Sequence, residues 1–232
     1  MADAERRGVA LDMDGVVIDG MQFHVRAWQH AFREVMGVEL PALEVYLREG
    51  YKEDYFIGQV AEKLGISVTD EQFDRIHDCK LAHYDDIFYL DPVPDIHQSL
   101  SLMREMGYAL GLVTGAKRAV AERALSEMGV RQWFDAVSGS DEVSRGKPDA
   151  EPYQKGGQEL GVLPQNCLVV ENAPAGIESA KKAGMLCVAL ESSLDKSYLT
   201  QADKVIHTHA ELQDWLREEH AITGGQGPWQ LP

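Results

Sequence analysis

Leu11-Asp12-Met13-Asp14-Gly15-Val16-Val17-Ile18-Asp19 closes the apolar run Val9-Ala10-Leu11 and sets two carboxylates two residues apart, directly ahead of a glycine. Read as a buried strand, the run delivers Asp12 to the C-terminal edge of a sheet, where open α/β folds bind ligands, and Asp14 reaches the same pocket. The other reading is an ordinary turn, since Asp and Gly are favoured there for local reasons. What lies further along the chain decides.

Between Met21 and Leu90 no stretch reads as a parallel-sheet strand. Apolar residues recur at helical intervals over 23–35, and 53–64 and 70–88 also read as helices, with Thr69 and Asp70 as caps and Gly65 as a stop. From Pro92 onward the texture alternates. Helices 95–106, 117–128, 150–160, 173–183 and 210–219 interleave with strands 108–113, 134–138, 166–170, 186–190 and 204–206. That alternation marks a parallel sheet covered on both faces. The fold class is therefore α/β, a Rossmann-like parallel core (1–18 and 92–220) interrupted by an inserted all-helical cap (19–91). An insert at a strand's C-terminal end overhangs the ligand edge, so it should act as a lid that excludes water. The stretch 221–232, rich in Gly and Pro, should form a loosely packed arm.

Composition narrows the partners. A formal charge of −16 argues against nucleic acid, which needs clustered Lys and Arg, and no basic stripe exists. A small anionic substrate stays open if a few cations converge locally. The 3 cysteines, Cys79, Cys167 and Cys187, are odd in number and lack C-x-x-C spacing, which fits a reduced, cytoplasmic setting. No signal peptide and no run approaching a membrane span is present, so a soluble, unexported protein is expected. Nothing speaks to oligomeric state, and a monomer is the default.

Three further sites fall where strands end. The strand at 108–113 runs into Thr114-Gly115-Ala116, a hydroxyl with loop N–H groups that suit phosphate oxygens, or else a plain helix cap. Gly146-Lys147-Pro148-Asp149 holds a lysine that is either a surface turn residue or a cation for the site. The strand at 166–170 ends in Glu171-Asn172, where Asn172 either caps a helix or offers an oxygen ligand. In a parallel sheet these ends share one edge, and together they divide the labour of phosphoryl transfer. Asp12 supplies a nucleophile and Asp14 a proton. Thr114, Lys147 and Mg²⁺ neutralise the phosphate. Mg²⁺ prefers oxygen ligands, and Asp12, the Asp14 carbonyl, Glu171 and Asn172 meet that preference.

Asp12-x-Asp14-Gly15, Thr114, Lys147-Pro148 and Glu171-Asn172-x-x-x-Gly176, in this order, resemble the haloacid dehalogenase superfamily along nearly the whole chain. The resemblance implies an aspartyl-phosphate on Asp12 and general acid–base work by Asp14. Dehalogenases lack the second Asp because a halide needs no proton, so Asp14 points to an oxygen leaving group. Within the superfamily, Asp19 to Trp28 is similar to a segment of the beta-phosphoglucomutase and sugar-phosphate phosphatase branch. By that analogy His24 tunes Asp14, and the cap cations Arg48, Lys52 and Lys80 grip the substrate's distal group. Each of these four is equally an ordinary helix residue. The sequence departs from the branch at three places. Asn172 stands where most relatives carry Asp, Glu49-Gly50-Tyr51 replaces the mutase's specificity loop, and Leu81 stands where it has Asn. The expectation is a Mg²⁺-dependent phosphatase of small phosphorylated metabolites such as sugar phosphates. A phosphomutase is the second reading, and a non-catalytic phosphate-binding module the third.

Overall fold

The computed structural model describes residues 5–231, so residues 1–4 of the expected core and Pro232 lie outside it. Its strands are β1 Gly8–Leu11, β2 Ala109–Val113, β3 Ala136–Ser138, β4 Cys167–Glu171, β5 Leu186–Leu190 and β6 Lys204–Ile206. They form one sheet of order β3-β2-β1-β4-β5-β6, parallel at every pairing. The strands β1, β2 and β4 are buried throughout, which is why they read as continuous apolar runs rather than as alternation. The register pairs Gly8 with both Ala109 and Cys167. The chain leaves β1 toward β2 and returns to its other side at β4, so the order reverses beside β1. That reversal point is where open α/β sheets bind ligands.

Helices α5 Ile96–Glu105, α6 Arg118–Glu127, α7 Glu151–Leu160, α8 Pro174–Lys182 and α9 His209–Thr223 cover the two faces. The expected strand at 108–113 starts one residue late because the Tyr108 N–H closes the end of α5 on Met103 O at 3.1 Å. Gly156 and Gly157 weaken α7 as a helix. They let it approach the sheet closely, since a Cβ on Gly156 would stand 2.6 Å from Val113. That approach brings the Tyr153 hydroxyl to Glu171, the last residue of β4.

Between β1 and α5 lies the helical cap: α1 Met21–Met36, α2 Ala42–Tyr46, α3 Glu53–Leu64 and α4 Asp70–Ile87. Of these the sequence reading lacks only the short α2. Thr69 closes a capping box with Gln72, and Gly65 ends α3 in the left-handed region, as helix termini favour. The cap has a hydrophobic cluster of its own, including Trp28, Phe32, Phe56, Ile57 and Ile76. Trp28 stacks on Phe56 at 4.2 Å.

The end of the chain corrects the expectation of a loose arm. Trp229 is 6% exposed. It packs against Tyr108 and Trp215 and donates its indole N–H to Asn166 O at 2.9 Å. Arg7 lies over its ring, donates to Gly227 O and Pro228 O, and pairs with buried Glu219 at 2.6 Å. Composition points to irregular chain, but one tryptophan contributes enough burial to hold such a segment down.

Candidate active site

Asp12 follows β1 directly, tied to the sheet by its N–H on Val170 O at 3.0 Å, and is 4% exposed. Lys147, from the loop between β3 and α7, reaches back across the sheet edge. Its ammonium donates to Asp12 Oδ1 at 2.5 Å, to Glu171 Oε1 at 2.6 Å and to Val113 O at 3.3 Å. It also lies 4.9 Å over the Tyr153 ring. Burial lowers its pKa, but Asp12 and Glu171 outweigh burial and hold it above the ordinary lysine value. For Asp12 the balance runs the other way. Burial, reinforced by the Glu171 and Asp14 charges and opposed by Lys147, raises its carboxyl to about 7.

Glu171 ends β4 with its carboxylate saturated. Oε1 accepts from Lys147 and from the Tyr153 hydroxyl at 2.8 Å. Oε2 accepts from the Asn172 and Ala173 N–H groups at 2.9 and 3.2 Å. A carboxylate offers roughly four lone-pair sites, so Glu171 is fully occupied in orienting its neighbours. Gly176 is required beneath it, because a Cβ there would overlap the carboxylate.

Asn172 is fully buried. It caps nothing, since Ala173 is the N-cap of α8 and makes no side-chain cap bond. Its amide donates instead to Glu49 Oε2 at 2.9 Å and Ser193 Oγ at 3.0 Å, while its Oδ1 has no donor. Gly15, at φ +87°, leaves room for that amide, which a Cβ would overlap.

Asp14 Oδ1 is buried without a hydrogen-bond donor. It lies 3.6 Å from His24 Nε2 and against Gly20, where any Cβ would overlap it. His24 stacks on Tyr84 at 4.5 Å. Thr114 is 5% exposed and accepts the Ala116 N–H at 3.1 Å, so the Ala116 donor expected for phosphate is engaged inside its own loop. Thr114, Gly115 and Lys147 line a cavity of about 10 Å³ with Gly50 and Lys52 of the cap, room for about one water.

The cap cations occupy separate places. Lys52 crosses to the core and donates to Val143 O and Ser144 O at 2.7 and 3.1 Å. Arg48 pairs with Glu44 at 2.5 Å within the cap. Lys80, 5% exposed, pairs with Glu53 at 2.8 Å beside Trp28 and Tyr84. Sequence reasoning missed three participants in this cluster. Tyr153 and Ser193 give no motif signal, although Tyr153 falls on the buried face of α7. Glu49 was noted only as a departure in the cap loop. Its carboxyl is pushed well above the usual range by burial and by the Asp12, Glu171 and Asp14 charges, and its Oε1 has no donor. Among the described residues no three Asp, Glu, His or Cys side chains converge as a metal cluster by themselves.

Residues 9–190 match the family described as Haloacid dehalogenase-like hydrolase. The chain is 34% identical over 204 residues to validoxylamine A 7'-phosphate phosphatase of Streptomyces hygroscopicus subsp. limoneus, covering 87% of this chain and 93% of that one. It is 30% identical over 187 residues to fructose-1-phosphate phosphatase YqaB of Escherichia coli (strain K12), covering 77% and 93%. Among solved structures, beta-phosphoglucomutase from Clostridium difficile superposes with TM-score 0.79 at 24% identity, over 94% of this chain and 98% of that one. At that identity the likeness establishes the fold.

Proposed function

The chain belongs to the haloacid dehalogenase-like hydrolases, and from that premise we propose that it hydrolyses phosphomonoesters of small polyhydroxylated metabolites through a covalent phosphate on Asp12. One observation carries the reading. A buried carboxylate held by Lys147 at 2.5 Å shares its loop with a second, Asp14, whose Oδ1 is sealed without a donor. Displacing a halide needs no acid. Cleaving a C–O–P linkage does.

In the first step Asp12 attacks phosphorus, the bond from phosphorus to the leaving oxygen breaks, and Asp14 gives that oxygen its proton. In the second, water attacks the aspartyl-phosphate, Asp14 takes the water's proton, and inorganic phosphate leaves with the Asp12 carboxylate restored. His24, 3.6 Å from Asp14, positions the acid. Lys147 and Thr114 face the phosphoryl oxygens, and Gly115 lets the backbone approach them.

The donors suit a hard cation, because Asn172 Oδ1 is fully buried and lacks a partner. Asp12, the Asp14 carbonyl and Asn172 would hold Mg²⁺, with Glu171 supporting from behind. Mg²⁺ supplies charge neutralisation of the phosphoryl group. The helices of 19–91 would act as a cap that lifts to admit substrate, since the described cavity has room for about one water.

Phosphatase is favoured over phosphomutase by the state of the cap cations. A mutase must grip a second phosphate, whereas Arg48 is matched by Glu44, Lys80 by Glu53 and Lys52 by main-chain carbonyls. The two named phosphatase relatives support the same choice. The test is a Mg²⁺ assay over a panel of sugar and polyol phosphates that follows free phosphate and isomerised sugar phosphate together. Phosphate release without isomerisation is the expected result. Isomerisation under a bisphosphate primer would reverse the assignment.

A further inference from the structure

The cap loop between α2 and α3 brings a carboxylate to the core that no step above uses. Glu49 reaches Asn172 Nδ2 with Oε2 at 2.9 Å, so each member of this bonded pair keeps one further oxygen. Both Glu49 Oε1 and Asn172 Oδ1 are sealed from solvent with no donor. Burying an acceptor unpaired is costly. Two such oxygens on one hydrogen-bonded pair are acceptors that an oxygen-seeking cation satisfies and a protein donor here does not.

The charge balance of the core points the same way. Lys147 is shared between Asp12 and Glu171, so one positive charge offsets one of those two negative ones. Glu171 has every lone pair engaged. A divalent cation at the Asn172 oxygen would therefore find one uncompensated carboxylate, Asp12, on the core side. Mg²⁺ is usually held by one or two carboxylates together with neutral oxygens. With Glu171 engaged and the Asp14 carboxyl kept for the leaving group, the core offers Asp12, and the cap loop carries the second carboxyl.

We propose that Glu49 completes the divalent-cation site from the cap, so that the cation is held fully only while this loop rests on the core. The inference rests on the cation site proposed above. Contacts of the loop explain the coupling. Gly50, next to Glu49, sits where a Cβ would stand 2.7 Å from Lys147 Cδ, and its Cα faces Gly115 closely. Lys52, two residues further, donates to Val143 and Ser144. Glu49 is thus fixed between two anchors, and lifting the loop removes its carboxyl oxygens from the site.

The test titrates substrate-free, full-length protein with Mn²⁺ by calorimetry, in wild type, Glu49→Gln, Asn172→Asp and the double variant. Thermal melts without metal establish that each folds. Glu49→Gln should weaken Mn²⁺ binding by about tenfold or more. Adding Asn172→Asp to Glu49→Gln returns the charge from the core side and should restore most of that loss. Amide exchange over residues 48–52 should slow on adding Mg²⁺ in wild type and not in Glu49→Gln. Unchanged Mn²⁺ affinity in Glu49→Gln overturns the inference and leaves the phosphatase reading standing. A loss that Asn172→Asp does not restore also overturns it, because loop packing and not charge would then be the cause. Wild-type protein that binds no Mn²⁺ removes both this inference and the cation site on which it rests.

Discussion

Asp12 and Lys147 stabilise one another's charge, which is what the proposed nucleophile role asks of a carboxylate 4% exposed. Without the ammonium, burial and the Glu171 charge would raise the Asp12 carboxyl further. Without the carboxylates, burial would lower the lysine's pKa unopposed. Asparagine at position 12 keeps an oxygen for Lys147 and loses only the nucleophile. Asp12→Asn should therefore lower kcat on every phosphomonoester by about 10³-fold or more while leaving the melting temperature within a few degrees. Residual turnover near wild type in purified variant would sink the nucleophile role. Asp14 makes a different prediction, because its oxygen has no donor and its proposed work is with the leaving group. Asp14→Asn should cost about 10²- to 10⁴-fold on sugar phosphates and much less on nitrophenyl phosphate, whose leaving oxygen needs little protonation. Equal losses on both substrates would argue that Asp14 holds structure instead.

At the scale of elements, the loop between α2 and α3 matters more than the helices it joins. Gly50 has φ +79°, and a side chain there would press on Lys147. Gly50→Ala thus combines backbone strain with a steric wedge between cap and core. It should lower kcat/KM for sugar phosphates by about 10²-fold, the scale of a small misplacement, with the melting temperature little changed. Normal kcat/KM in the variant would show that the loop does not close during turnover. The same loop shows where sequence reading stops. Asp12, Thr114, Lys147 and Glu171 are legible as a group because three follow or end continuous apolar runs and the fourth precedes a proline at the same edge. Strand ends converge by topology, so one sequence suffices. Glu49 follows no run and shares no periodicity, and its approach to Asn172 depends on how the cap docks. Arg48 and Lys80 read as free cations because their partners, Glu44 and Glu53, become partners only through helix spacing and tertiary packing.

Across the whole molecule, elements remote from the site hold its loops in place, and His209 gives this a measurable form. It begins α9 and is 1% exposed. Its Nε2 donates to Val16 O at 2.8 Å, fixing the turn that leaves the Asp12-Met13-Asp14 stretch. Its Nδ1 meets the Ser99 hydroxyl of α5 at 3.1 Å. Burial lowers its pKa from the ordinary 6.5, against a smaller upward pull from the Val16 carbonyl and Asp95. The native imidazole therefore stays neutral while the unfolded chain's begins to charge. As pH falls below 6.5, the unfolded state binds a proton that the native state refuses, and stability drops until the folded pKa is reached. Above 6.5 neither state is protonated and the contribution is complete. The urea midpoint should accordingly be lower at pH 5.5 than at pH 7.5, by more in wild type than in His209→Gln, where no imidazole is left to titrate. Parallel pH profiles for the two proteins would place the acid sensitivity elsewhere. A steeper profile in wild type would tie the turn after Asp14 to α9, so that the loop bearing both carboxylates is braced from behind the sheet as well as covered by the cap.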